Sequence, residues 1–385
     1  MAMWTAKIEG GPKRVNHAAA AVDHQVFSFG GYCSGFDFET PVPMDVHVFN
    51  TLTYKWKKLP APTDPEDKKS TPYRRYGHTA IAKDFYIYIW GGRDDSHGAC
   101  NKLFRYNTRN HKWKLPEVSG KVPGPRDGHS ACLIKDSMYI FAGFEEETER
   151  FSSSIFAVDL NTYQWSEATY SGTPASYRDF HTSVTLDDRY MVVFGGRCDA
   201  SGPSELYREY YCNKLHFFDT DRKVWFQLDP SGAKVKGRRS HSAFVYNNKI
   251  YIFGGYNSLT REHMKDLLCF DSEFGTWLNV GKDIIGLEGP CARRRQVSCL
   301  VGSRVFIFGG TSPSGRYDEN DQPNLLDHHD LHILDFQPSL RIFCMHVVLK
   351  YKLDTSRLPR VLREEIEILK PKESHKNTIE SETQG

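Results

Sequence analysis

Six times along this chain an apolar run ends in a pair of small residues: Gly30-Gly31, Gly91-Gly92, Ala142-Gly143, Gly195-Gly196, Gly254-Gly255 and Gly309-Gly310. An arginine stands sixteen residues before each pair, seventeen in the fourth copy: Arg14, Arg75, Arg126, Arg178, Arg238 and Arg293. Three residues after each arginine comes His17, His78, His129, His181 or His241, with Gln296 in the sixth copy. Past the glycines an Asp or Asn is followed six residues on by tryptophan, at Asn50/Trp56, Asn107/Trp113, Asp159/Trp165, Asp219/Trp225 and Asp271/Trp277. Markers held in register over a period of about 50–60 residues belong to an internally repeated fold, in which one copy cannot bury its own faces.

Each copy reads as four short strands. HSAFVYNNKIYIFGGYN, residues 241–257, holds two alternating apolar runs around Asn247-Asn248, the signature of a hairpin. The glycine pair ends the second strand, and LLCFDSEFGTWLNV, residues 267–280, supplies the outer two. The predicted fold is therefore all-β: a six-bladed kelch β-propeller over residues 3–337. The sixth copy has LHILDF at 331–336, but Arg341 stands where its tryptophan is due. Trp4 precedes the first copy, so residues 3–8 are expected to form the outer strand of blade six, closing the ring and removing exposed sheet edges.

Composition excludes several classes of function. A net charge of +2 offers no field for nucleic acid or an anionic membrane. No apolar run reaches the length of a membrane span, and MAMWTAKIEGG lacks the pattern of a signal peptide. Nine scattered cysteines without a CxxC pair read as reduced thiols, which fits cytosol or nucleus. No metal or cofactor is expected: the histidines recur once per blade around a ring, and Asp327-His328-His329-Asp330 reads as a solvated turn before a strand. No Cys, Tyr and His constellation of the kind used by copper-dependent kelch oxidases stands out, so catalysis is not expected.

A propeller brings first strands to its axis and their preceding loops to one rim. Arg75, Arg126, Arg178, Arg239 and Arg294, with Arg93 and Arg197 directly after Gly-Gly, are thus expected on one face near the channel. Guanidiniums interleaved with Tyr32, Tyr256 and Ser240 suit a carboxylate, which arginine grips in a bidentate fork. An acidic peptide or a free C-terminus is the expected ligand.

After the last blade, residues 338–370 read as a short helical region. PSLRIFCMHVV places Leu340, Cys344 and Val348 on one stripe, and SRLPRVLREEIEIL puts Pro359 at a helix start with Val361, Leu362, Ile366 and Leu369 following. Ser339-Leu340-x3-Cys344-x3-Val348 resembles the elongin C-binding box, and Leu358-Pro359-x2-Leu362 resembles the cullin-2 box. Passages such as RVNHAAAAV, SFGGYCSG, GRRSHSAF, FGGTSPS and DLHILDFQPSL are also similar to those of the kelch-repeat substrate receptors of cullin-2 ubiquitin ligases, over residues 4 to about 370. That resemblance implies a non-catalytic adaptor that binds elongin C with elongin B through Leu340, Cys344 and Val348, and cullin-2 through Leu358, Pro359 and Leu362. It also implies substrates read by a C-terminal glycine, with Arg197, Arg239 and Ser240 at the carboxylate, although the family's diglycine reader carries Ser-Trp where this chain has Arg-Ser. A rival reading is a kelch scaffold on chromatin, in meiotic recombination, or on the cytoskeleton. Residues 371–385 read as a disordered tail, and their Gln384-Gly385 end resembles such a ligand, so self-binding is a further expectation.

Overall fold

A computed structural model describes residues 2–34, 40–200, 208–317 and 323–370. The fifth blade illustrates how the repeat folds. Ser242–Tyr246, Lys249–Phe253, Leu267–Asp271 and Thr276–Asn279 pair antiparallel in that order. Asn247 and Asn248 both take positive φ, the conformation a two-residue hairpin needs to match strand twist. Asp271 Oδ1 accepts the Glu273 amide at 3.2 Å, tying down the outer turn. At Gly254 a Cβ would lie 2.7 Å from the Arg293 carbonyl of the next blade, so the blades approach there by backbone alone.

The six inner strands are Ala18–Val22, Tyr76–Lys83, Ser130–Ile134, Thr182–Leu186, Ser242–Tyr246 and Val297–Val301. Each touches the next, and the last touches the first. A ring of backbone hydrogen bonds runs through the residue just before each His or Gln. Gly77 N donates to Asn16 O, Gly128 to Gly77, Phe180 to Gly128, Ser240 to Phe180, Arg295 to Ser240, and Asn16 to Arg295, at 2.7–3.3 Å. All six residues have positive φ. Met3–Ile8 pairs antiparallel with Leu331–Asp335 as the outer strand of blade six, and Trp4 packs there edge-on to His332. Apolar clusters fill the gaps between blades: Ile134, Phe141 and Ile155 of blade three meet Met191, Val193, Phe218 and Trp225 of blade four. Each such side chain contributes about 1.5–3 kcal/mol on burial.

Two helices follow. Leu340–Lys350 is capped by the Ser339 hydroxyl, which accepts the Ile342 amide. Arg360–Leu369 starts after Pro359. Met345, Ile366 and Leu369 are buried in the cluster that joins blade six (Phe306, Phe308, Ile333) to blade one (Val26, Phe49). No described helix is long and apolar enough to cross a membrane. The 371–385 segment and its Gly385 end lie outside the described residues.

Candidate functional site

The repeated arginines turn inward. Arg14, Arg75, Arg126, Arg178, Arg238 and Arg293 are all buried. From Arg75 onward, Nη1 of each donates to the carbonyl of the first residue of its small pair: Gly91, Ala142, Gly195, Gly254 or Gly309. Four also pair with a blade carboxylate: Arg14 with Asp45, Arg126 with Glu145, Arg238 with Asp266 and Arg293 with Asp330. Arg126 and Arg178, expected as ligand contacts, are thus withdrawn from the rim together with Arg75. Their guanidiniums saturate the carbonyls exposed where the second strand stops, a need every blade shares.

The histidines are latches between blades. Thr79 Oγ1 meets His129 Nε2 at 2.9 Å, Ser130 Oγ meets His181 at 2.7 Å, and Thr182 Oγ1 meets His241 at 2.8 Å. Gln296 Nε2 reaches Ser242 Oγ at 3.3 Å. Burial, then a neighbouring arginine, pushes His78 and His241 down to about 3, so the rings are neutral. Ala18 and Val297 occupy the hydroxyl position facing His78 and His17; among the described residues neither nitrogen of His17 finds a hydrogen-bond partner, and His78 is left with the Phe29 backbone, which raises its pKa against the burial that lowers it.

The 327–330 turn is also used inward, correcting the solvated-turn expectation. Asp330 pairs with Arg293 and His332, and Asp327 Oδ2 accepts the Ser34 amide at 2.6 Å. No cluster that could hold a metal exists among the described residues.

The mouth of the channel is built from the two positions after each buried arginine and the position after each small pair. Cross-strand bridges join Val15 to Tyr32, Tyr76 to Arg93, Asp127 to Phe144, Asp179 to Arg197, Arg239 to Tyr256 and Arg294 to Thr311. The rim is consequently polar in two senses. On blades three and four, Asp179 receives both Arg197 Nε and Nη2, and Asp127 is pushed up to about 7 by burial, against the opposing pull of Arg93. On blades five and six, Arg239, Arg294 and Arg295 converge. The Arg294 guanidinium sits 4.3 Å and that of Arg239 5.7 Å from the Tyr256 ring centroid, and Arg295 Nη1 donates to the Tyr32 hydroxyl.

Among the described residues none of these three arginines has a carboxylate within ion-pairing distance, and the Nε of each is buried without a hydrogen bond. Burial, then Arg295 and Arg239, lowers Arg294 to about 10. Burial followed by Arg294 and Arg295 lowers His263 to about 4. Half-buried cations crowded together without an ion-paired carboxylate are costly, and an anion entering here would relieve that cost. Ser240 closes the floor of this end, its amide committed to Phe180 O.

Of the expected contacts, the structure gathers Arg239, Ser240, Arg294 and Tyr256 at the cationic end. Arg93 and Arg197 lie on the same rim beside Asp127 and Asp179. Sequence reasoning missed Arg295 and His263. Arg295 occupies the ring position held by Asn16, Gly77, Gly128, Phe180 and Ser240, and aligning the copies on their His or Gln would have found it.

On the tail, Leu340 is 78% exposed and Cys344 is exposed. Val348 is half-buried against the propeller, and Val347 and Tyr351 extend the open stripe in its place. Leu358 and Leu362 also pack partly inward, leaving Pro359 and Val361 open. The helix face is set by Met345, which the blades bury, so residues offset from it by about half a turn point out.

The chain matches the KLHDC2/KLHL20/DRC7 Kelch-repeats domain over residues 16–208, 77–310 and 202–340. It is 48% identical over 372 residues to kelch domain-containing protein 3 of Bos taurus and 47% identical over 371 residues to that of Homo sapiens, covering 95% of each chain compared. Kelch domain-containing protein 2 of Bos taurus is 25% identical over 349 residues, 82% of this chain and 78% of that one.

Proposed function

Given that this chain belongs to the kelch-repeat family of kelch domain-containing protein 3, we propose that it is the substrate-recognition subunit of a cullin-2 RING ubiquitin ligase, reading the glycine-ended C-terminus of its substrates. The observation that carries this reading is the open Leu340–Cys344 stripe on a helix whose opposite face is buried against blades six and one. A solvent-facing leucine on a docked, capped helix is held ready for a hydrophobic partner, and elongin C with elongin B is the partner whose box it resembles. Pro359 and Val361 stand open for cullin-2 on the following helix.

The cationic end of the channel supports the other half of the reading. Arg239, Arg294 and Arg295 with Tyr256 can surround a terminal carboxylate, while across the channel Arg93 and Arg197 are matched by Asp127 and Asp179 and offer no comparable excess of positive charge. The chain itself forms no covalent bond. It brings a substrate lysine near the ubiquitin carrier, raising effective concentration.

The test is co-purification of elongin B, elongin C and cullin-2 with the full chain and with a Leu340→Ala/Cys344→Ala version. Recovery with the first and loss with the second is expected, with unchanged thermal stability because both side chains are exposed. Absence from both would overturn the reading.

A further inference from the structure

A cavity of about 520 Å³ lies between blades one and two, beside the channel mouth and within the size range of ligand sites. Its floor is apolar and buried: Met44 and Leu59 of blade one meet Tyr106 and Trp113 of blade two. Pro43 and Pro60 are exposed along its wall, which their fixed φ stiffens. Blade one departs from the other five here. Arg14 Nη1 donates to the Ser28 hydroxyl at 3.0 Å instead of to a carbonyl of its small pair, and Nη2 reaches Asp45 and, at 2.9 Å, His47 Nδ1. A guanidinium only donates, so Nδ1 accepts and the His47 proton stays on Nε2. Burial, then Arg14, lowers His47 to about 4, with Asp45 opposing and Lys58 adding to the lowering. His47 therefore lines the cavity as a neutral ring with one N–H to donate.

Charge around the opening is one-sided. Asp45, the one carboxylate among the lining residues, is taken by Arg14, while Lys13 and Lys58 are exposed and make no ion pair among the described residues. Tyr32 ties the cavity to the channel mouth: it lines the cavity, its hydroxyl receives Arg295 Nη1, and its ring meets Tyr76 edge-on at 5.3 Å. A bare anion would leave the apolar floor in water, and an uncharged apolar segment would leave the two lysines unmatched. Both needs are met by large apolar side chains set among carboxylates.

We propose that this cavity is a second subsite for the substrate, taking an acidic segment with apolar side chains that lies upstream of the C-terminus held at the channel mouth. The inference rests on the channel reading above and extends it. The apolar side chains fill the floor between Leu59 and Trp113, Lys13 and Lys58 meet the flanking carboxylates, and His47 Nε2–H donates to the segment. Affinity then depends on sequence well before the terminal glycine, because two linked contacts bind as one.

Fluorescence anisotropy on the full chain compares labelled peptides ending in the same glycine. One has about six residues; the other has about 20, enough at about 3.3 Å per residue to leave the channel, and carries an Asp-Phe-Asp-Phe block stepped along its upstream part. At its best spacing the long peptide is expected to bind about tenfold or more tightly than the short one, as burial of an apolar side chain provides, and a version with Ser for each Phe should lose that gain. Ala61→Trp, which fills the cavity from an exposed position, and Lys13→Glu/Lys58→Glu, which reverses the charge at the opening, should each remove the gain and leave the short peptide and the unfolding midpoint unchanged. A gain that survives Ala61→Trp, or equal affinities at every spacing, would overturn the subsite and leave the channel reading standing. Failure of the short peptide to bind would sink the channel reading; the subsite then holds only if the long peptide binds and loses that binding in Ala61→Trp, and falls otherwise.

Discussion

The incomplete set of histidine latches permits a reciprocal experiment. Thr182 lends its hydroxyl to His241 Nε2 at 2.8 Å, and His241 is buried. Thr182→Val keeps the shape and removes the hydroxyl, leaving a buried ring nitrogen unsatisfied at a cost of about 1–3 kcal/mol. Val297 occupies the equivalent place one blade before His17, whose ring nitrogens have no hydrogen-bond partner among the described residues. Val297→Thr adds a hydroxyl with little change in volume, and the new bond should return about 0.5–1.5 kcal/mol. Equilibrium urea unfolding followed by the fluorescence of the seven tryptophans reads both changes as opposite shifts in midpoint at constant slope. A Val297→Thr protein destabilised as much as Thr182→Val would show that the hydroxyls merely fit the gap and do not latch the blades. A further check is the His17→Ala background, in which Val297→Thr should lose its gain, because the two effects must couple.

Three other outcomes are expected. Because His78 and His241 are held at about 3 in the fold against 6.5 unfolded, the unfolded chain binds more protons in between; stability present above pH 6.5 should fall as pH drops toward 3. His241→Gln, the residue type the sixth blade already uses, should flatten that dependence in pH-resolved urea midpoints. Arg126→Met should cost about 3–5 kcal/mol by stranding Glu145 and two carbonyls, while leaving affinity for a glycine-ended peptide intact in protein that folds. Arg239→Ala and Arg294→Ala should each weaken that peptide by at least about tenfold in fluorescence anisotropy, the loss of one charge-assisted contact, with little change in unfolding midpoint.

The repeat was legible because its markers are tied to covalent spacing: a small pair where the second strand must end, and an Asp or Asn whose side chain caps the outer turn, as Asp159 does for Asn161 and Thr162. The outer strand of blade six could be assigned to residues 3–8 for the same reason, since one tryptophan was missing at 341 and one was spare at Trp4. Facing was harder. Arg238 and Arg239 look alike in sequence, as do Arg293 and Arg294, yet the first of each pair is buried in its blade and the second lines the channel mouth. Extended backbone sends neighbours to opposite sides, and the partners that decide which side is which, Asp266 and Asp330, lie 28 and 37 residues away. A carboxylate that distant leaves no local pattern.

A related limit applies to the tail, where the spacing of Leu340, Cys344 and Val348 defines a stripe but not how it is turned; burial of Met345 rotates Val348 toward the blades and Val347 outward. The repeats nevertheless contain their own alignment. Between the recurring arginine and the His or Gln, the copies read Val-Asn, Tyr-Gly, Asp-Gly, Asp-Phe, Arg-Ser and Arg-Arg. Residues that every blade shares answer needs that every blade has, so a position free to differ is one that packing does not dictate. Arg295 and Phe180 strengthen the point, because each holds a bulky side chain at positive φ where glycine serves two other blades without strain. Such a cost is tolerated where the side chain has a task at the channel mouth, and for Arg295 that task is to complete the cationic end with Arg239 and Arg294.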